Sequence, residues 1–452
     1  MRELLEIGKR GMFANQKSLE VVGQNVANAN TPGYSRQRVE LEAIEFRKGG
    51  LSVGLGVNVE TVKQLRDTLV ETQIQSKEGD LGGYNEQIKL YEQLEVLFAT
   101  GSDNDLDKLI TKFFNSFSEL SNNPESLALR ESVVFSAQNM TSRFNEISAN
   151  LDAIKDSLSK ESTTLVGEVN RLTSDIAKLN VQIANVSGTG QADNKALDLR
   201  AMRLNELSKL VAINTIYSNN GSVEVRIGNL VVVQHDRVFN VEPEIDSTNN
   251  ALRLRLNNGR TLKNVGGKLG AMIDSYETTL PGFKTKVDTL ASNLVSKVNQ
   301  VHVNGFNLND TTGIEFFNPS GTTASTIALN SQIVDSVSLI AASDTSGALG
   351  NNTAARQIFT LLDSSSAVGD KSFIEYSLSI AAETGFTISS LRTQVESVSS
   401  SKLMLENQKL DASGVNMDEE LANMIKFQNA YQASARVIAS VQVMYDTVLS
   451  LV

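Results

Sequence analysis

The sequence predicts a mainly α-helical chain with a small all-β insertion, built as nested layers along one axis. Three observations carry this. Both ends show an apolar seam spaced alternately three and four residues apart, the mark of an amphipathic helix that needs a partner. Most of the interior repeats helical periodicity. Residues 212–266 instead alternate apolar and polar positions with period two. The order helix, bundle, strands, bundle, helix brings the outermost segments together at one pole and leaves the strands at the other.

At the N-terminal end the seam runs Leu5, Gly8, Met12, Asn15, Leu19, Val22, Val26 and Ala29, which predicts a helix over 3–29. Thr31 precedes Pro32 and is disfavoured in helical geometry, and Pro32-Gly33 suits the two central positions of a type II turn. Tyr34, just after it, reads as an anchor that buries its ring and keeps its hydroxyl in water. Residues 37–43 and 57–62 then alternate, with Gly49, Gly50, Gly54 and Gly56 between them, so a β-hairpin with a long tip is expected. Gly54-Leu55-Gly56 lacks the third glycine and the following helix of a phosphate-binding loop and is read as part of that tip.

Residues 63–211 read as helices, with breaks expected near 79–83, 101–104 and 121–124; the stripe Val169, Leu172, Ile176, Leu179, Ile183, Val186 is the clearest. In 212–266, Val223, Val225 and Ile227 alternate with Glu224 and Arg226. Leu252, Leu254 and Leu256 alternate likewise before Asn257-Asn258-Gly259, a hairpin turn signal. Gly266-Gly267 closes this module and helical periodicity returns through 280–303. Residues 310–350 are rich in Ser, Thr, Gly and Asn, with short strands expected at 326–329 and 337–340, and 351–410 is again helical.

The C-terminal seam runs Leu421, Met424, Gln428, Tyr431, Ala435, Ile438, Gln442, Tyr445, Leu449 and Val452, in a helix of about 36 residues beginning near Met417. Asp418, Glu419 and Glu420 complement its dipole, and the seam glutamines give up stability for register and partner choice. The division expected is 1–32 with 414–452 as a terminal coiled-coil layer and 33–211 with 267–413 as a helical bundle carrying the hairpin. Residues 212–266, with 320–345 as a candidate extension, form the outer β module.

Composition removes several function classes. Of 452 residues, 41 are Lys or Arg and 52 are Asp or Glu, a net charge of −11, the wrong sign for a nucleic-acid binder. There is no cysteine, which removes disulfides, thiolate metal sites and cysteine nucleophiles. With only His235 and His302, histidine-based metal chemistry is nearly excluded, and His302 reads as a structural residue near a helix end. The longest aliphatic run, 230–233, is far short of the roughly 20 apolar residues of a spanning helix, so membrane insertion is not expected. MRELLEIGKR scatters charges where a cleaved secretory signal needs an apolar block. No constellation carries chemistry, so neither catalysis nor a cofactor is expected.

The run NVANANTPGYSRQ (25–37) closely resembles the signature of bacterial flagellar axial proteins, which build rod, hook and hook-filament junction, and 414–452 resembles the matching C-terminal end. The interior segments 172–190, 197–211 and 266–308 look like the junction members. The resemblance implies an extracellular structural subunit exported by the flagellar type III system and placed as a ring between hook and filament. It further implies self-association, contacts with the hook protein and the second junction protein, and a cytosolic export chaperone on the C-terminal helix. The seam residues would be the assembly contacts, with Leu19, Val22 and Val26 against Tyr431, Ala435 and Ile438 in the ring. Asn28, Asn30, Thr31, Pro32, Gly33 and Tyr34 would form the motif turn. The alternatives are a rod or hook subunit or a secreted adhesin. The adhesin is disfavoured because 212–266 holds only Tyr217 and Phe239 as aromatics.

Overall fold

The computed structural model describes residues 2–48, 51–189, 191–246 and 250–450, so Gly49 and Gly50 of the hairpin tip and Val452 of the seam lie outside it. Helix α1 (Arg2–Asn28) is followed by a hairpin of β1 (Gln37–Lys48) and β2 (Leu51–Gln64), antiparallel with two register shifts. Four helices come next: α2 (Thr68–Leu97), α3 (Leu106–Asn122), α4 (Leu127–Ser187) and α5 (Asn194–Leu210). At 61 residues α4 is on the order of 90 Å long.

Among the described residues the β module holds six strands. β3 (Ile213–Tyr217), β4 (Val223–Ile227), β5 (Leu230–Gln234) and β6 (Arg237–Val238) form one antiparallel sheet in sequence order. β7 (Val241–Asp246) and β8 (Ala251–Leu256) form a second. Then follow α6 (Gly267–Asp274), a π turn over Ser275–Thr279, α7 (Leu280–His302), α8 (Ser331–Asp335), α9 (Thr353–Thr360), α10 (Phe373–Ser413) and α11 (Met417–Ser450).

Two hydrophobic cores hold the body. The first joins α2, α3, the first half of α4, α7 and the start of α10 around Phe113, Phe114, Phe117, Phe316, Phe317 and Phe373. Its rings meet edge-on or offset, as the aromatic quadrupole favours: Phe316 and Phe317 are T-shaped at 4.9 Å, and Phe114 stacks on Phe373 at 5.6 Å. The second joins the other half of α4, through Val169, Leu172 and Ile176, to Leu204 and Leu207 of α5 and to the inward face of the strands, Val223, Val225 and Ile227. The β module therefore shares its core with the long helix.

Residues 320–345 pack differently from the expectation. Ile327, Ile333 and Ile340 join the phenylalanine core, away from the β module. The strands expected at 326–329 and 337–340 do not form: Leu329 makes a single bridge to Phe317, and Val337–Leu339 is a 3-10 turn. Polar residues there satisfy the backbone locally, as when Gln332 N–H donates to Asn330 Oδ1, so no ladder is needed.

The break expected at 79–83 is also absent, for α2 runs through it. A Cβ at Gly82 would lie 2.2 Å from the Lys209 carbonyl, and one at Gly79 would lie 3.3 Å from that of Ser208. These glycines let the α5–α6 connection cross α2 at backbone distance.

Gly82→Ala therefore sets a helix-propensity gain of about 1 kcal/mol against a backbone clash. A net loss of about 1–2 kcal/mol is expected in urea unfolding. Gly23, inside α1 with nothing within 4 Å of a built Cβ, is the opposite case: Gly23→Ala should stabilise its helix by about 0.5–1 kcal/mol. Equal effects at the two positions would refute this reading of α2.

Candidate assembly interface

Helices α1 and α11 lie antiparallel and close on each other within one chain. A Cβ at Gly8 would sit 2.8 Å from Ile438 Cγ1, and one at Gly11 would sit 3.7 Å from Ser434 Cβ. Seventeen residues after Gly8, the Asn25 side chain reaches Glu420. Small residues at Gly8, Gly11, Ala14 and Ser18 let the backbones approach, while Val22 is buried and shares a cleft with Asn423 and Phe427. The hairpin covers another side of α1, with a Cβ at Gly56 falling 3.4 Å from Ile7 Cα.

Within the chain Val22 faces Asn423 and Phe427, about three turns before Ala435, a register other than the one expected in the ring. The contact face of α11 is Glu420, Asn423, Phe427, Ala430, Ser434, Ile438 and Val441, which are buried or half-buried. Of the expected seam, Met424, Tyr431, Ala435 and Ile438 are half-buried, whereas Leu421, Gln428, Gln442, Tyr445 and Leu449 are exposed. A strict three-four spacing drifts by about 20° per heptad on a straight helix. The expected stripe therefore starts beside the contact face at Leu421 and rotates onto it only near Ile438. On α1, Val22 is buried, and Leu5, Met12, Leu19 and Val26 are half-buried at its edge, as is Ala29 just after it.

The motif turn joins the two helices. Thr31 N–H donates to the Asn28 carbonyl at 2.9 Å and Thr31 Oγ1 to Asn28 Oδ1 at 3.2 Å. Tyr34 N–H closes the turn on Thr31, with Gly33 at φ +81° as a type II turn requires. Asn30, Thr31, Pro32 and Gly33 are exposed. A Cβ at Gly33 would meet Met202 Sδ of α5 at 2.8 Å, so the turn also rests on the body.

Behind the turn lies a buried polar knot. Asn25, 1% exposed, makes a reciprocal pair with Gln37 at the start of β1: Gln37 N–H donates to Asn25 Oδ1 at 3.0 Å, and Asn25 Nδ2 donates to the Gln37 carbonyl at 2.9 Å. The same Nδ2 donates to Glu420 Oε2 at 3.0 Å, and Tyr34 O–H donates to Asn25 Oδ1 at 2.8 Å. Arg36 bonds Glu420 through Nε at 2.7 Å and Glu419 through Nη1 at 2.9 Å, while its backbone N–H donates to the Ser413 carbonyl. One asparagine thus touches α11, the turn and the hairpin.

Tyr34 does not keep its hydroxyl in water; it gives that proton to Asn25. Burial, with Asp198 and Glu420 nearby, pushes the phenol up to about 12, so it stays a donor. The Arg36 hydrogen bond holds the Glu419 carboxyl below its ordinary range. Asp418, Glu419 and Glu420 were read only as complements to the helix dipole. Asn416 Oδ1 caps α11, accepting from Asp418 and Glu419 N–H, which frees Glu419 and Glu420 to hold Arg36. Sequence reasoning gave Asn25 and Arg36 no individual role and did not see that Glu420 holds both. Their signal was an arginine beside the turn and an acidic pair opening the far helix.

A family model for the flagellar basal body rod protein matches residues 5–34, and one for the C-terminal region of FlgEFG rod proteins matches 406–451, the two segments that the knot ties together. Between them, the flagellar hook-associated protein FlgK helical domain matches residues 91–317, half of the chain. The chain belongs to the FlgK family. Flagellar hook-associated protein 1 of Bacillus subtilis is 27% identical over 99% of this chain and 97% of its own length. That of Salmonella typhimurium is 21% identical over the whole of both. The FlgK hook junction protein of Burkholderia pseudomallei shares the fold, with a TM-score of 0.50 and 22% identity over 55% of this chain and 46% of that one. The rod protein FlgG of Agrobacterium fabrum is 36% identical over only 15% of this chain. This FlgK relative is a structural protein of the bacterial flagellum.

Glu420→Gln should leave Glu419 as the carboxylate on Arg36, turn one acceptor toward Asn25 into a donor, and weaken the terminal pairing by about 2–3 kcal/mol. Asn25→Asp should cost more, since it places a carboxylate against Glu420 and deletes both amide donations. Limited proteolysis should then release residues 2–36 and 414–450 while the body keeps its unfolding midpoint. Unchanged protection of both ends would remove the knot as their tie.

Proposed function

We propose that the chain, a structural subunit of the hook-filament junction, assembles as a ring through the side of its terminal layer that its own helix pairing leaves uncovered. The observation that carries this reading is on α11. Its inner face closes on α1, yet Leu421 and Ile425 on its flank are 47% and 60% exposed. Val443, Met444, Val448 and Leu449, near its C-terminal end, are equally open, Leu449 at 72%. A helical layer with that much uncovered apolar surface is completed by neighbours.

In this reading the neighbours are further copies of the chain in the ring, the hook protein on one side and the second junction protein on the other. Before assembly the same apolar face of α11 suits a helix-in-groove partner, the cytosolic export chaperone. Leu421 and Tyr445 then serve as contacts between molecules, while Met424, Tyr431 and Ile438 border the pairing within one. The proposed route is the flagellar type III system, ending outside the cell, and the role is structural, not catalytic. A chain without cysteine suits passage in an unfolded state.

The test uses Ile425→Glu and Leu449→Glu against the surface control Glu20→Lys. Both side chains are exposed in the single chain, so its unfolding free energy in urea should change by no more than about 0.5 kcal/mol. In the ring each charge would be buried unpaired at several kcal/mol, so cells should shed flagellin and carry short or no filaments. Full-length filaments from both variants would put the ring contact elsewhere.

A further inference from the structure

One peptide group in the body is gripped from both sides by buried side chains. The Ile340 carbonyl accepts from Arg130 Nη1, and the N–H of the same peptide, on Ala341, donates to His302 Nε2 at 2.8 Å. Arg130, 1% exposed, is held by the Pro124 carbonyl through Nε at 2.9 Å and Nη2 at 2.7 Å. His302, the last residue of α7 and also 1% exposed, donates through Nδ1 to the Ile314 carbonyl at 2.8 Å. Its imidazole is thus a neutral tautomer with one donor and one acceptor, both engaged. Beyond the clamp, Phe306 N–H donates to the Ser343 carbonyl, and Ala342 and Ser343 N–H donate back to Phe306.

We propose that this peptide is an acid-released clamp: a second proton on His302 turns its only acceptor into a donor, ejects the Ala341 N–H and frees segment 336–350 from α4 and α7. Arg130, from α4, is the charged group acting on the imidazole; the segments carrying Ile314 and Ala341 present uncharged backbone, and the Phe316 ring lies T-shaped to the imidazole with centroids 5.4 Å apart. Asp310 and Asp344, nearby in sequence, are engaged with Ser346 and Gly347, and with Thr345 and Asn351. Release would remove one wall of the groove where Phe135 and Val334 are exposed.

Burial, reinforced by Arg130, pushes the His302 imidazole from 6.5 down to about 4. With the folded value depressed, stability is complete above about 6.5, falls as pH drops because His302 takes up a proton in the open state, and stops falling below about 4. The opening equilibrium should rise by roughly tenfold per pH unit across that window, roughly 300-fold in all.

The chain has only two histidines, so two imidazole C2 proton resonances are expected, and His235→Gln assigns them. The His302 resonance should titrate near 4. Hydrogen exchange of 336–350, corrected for intrinsic rate, should accelerate between pH 6.5 and 4 and then level off, while 106–122 stays protected. His302→Gln should abolish that pH dependence. Titration of His302 near 6.5, a flat exchange profile, or the same acceleration in His302→Gln would overturn the proposal. Should His302→Gln fail to fold, the wild-type profile decides: a rise that continues below pH 4 belongs to carboxylates and refutes the clamp.

Discussion

Where an extended segment packs against a helix in this chain, a buried backbone amide that no strand pairs must find another partner. Asparagine supplies it repeatedly, with a carboxamide that pairs with one residue's N–H and C=O as a neighbouring strand would. Asn25 does this for Gln37, Asn170 for Val241, Asn180 for Val223 and Asn299 for Phe317. The first fixes the hairpin on α1, the next two fix both sheets on α4, and the last seats the Phe316-Phe317 pair in the core. Helix positions thereby dictate strand register.

At the pole the same device reaches further. Asn25 shares its donor with Glu420, and Glu420 with Glu419 neutralises Arg36. The start of α11 is held by groups that lie 384 and 395 residues away in sequence. Apolar stripes alone would slide by a heptad at little cost. The knot and the close approach at Gly8 select one register, and that register leaves the outer flank of α11 for other molecules.

The large elements were legible because periodicity is a local signal. The terminal helices, the hairpin, the breaks near Gly101 and Pro124, and the strands after Val211 all follow from spacing and turn chemistry. Gly79, Gly82 and Gly83 were misread because a glycine that permits close packing looks in sequence like one that ends a helix. Residues 326–340 were misread because short aliphatic runs fit a strand or an irregular segment equally well. That the ends pair was legible from their seams. The face was not, because three-four spacing tolerates rotation. The register was not, because it rests on Asn25 and Glu420, polar residues that an apolar pattern passes over.

The central claim is that α1 and α11 pair within one chain in the register set by the knot. Gly11→Cys with Ser434→Cys tests it directly, since a Cβ at Gly11 falls 3.7 Å from that of Ser434, within the range a disulfide spans, and the chain has no other cysteine. Mild oxidation of the dilute protein should give a rapid, intramolecular crosslink, and Val22→Cys with Ala435→Cys should give none. A crosslink in the second pair and not in the first, or crosslinks only between molecules, would contradict the account.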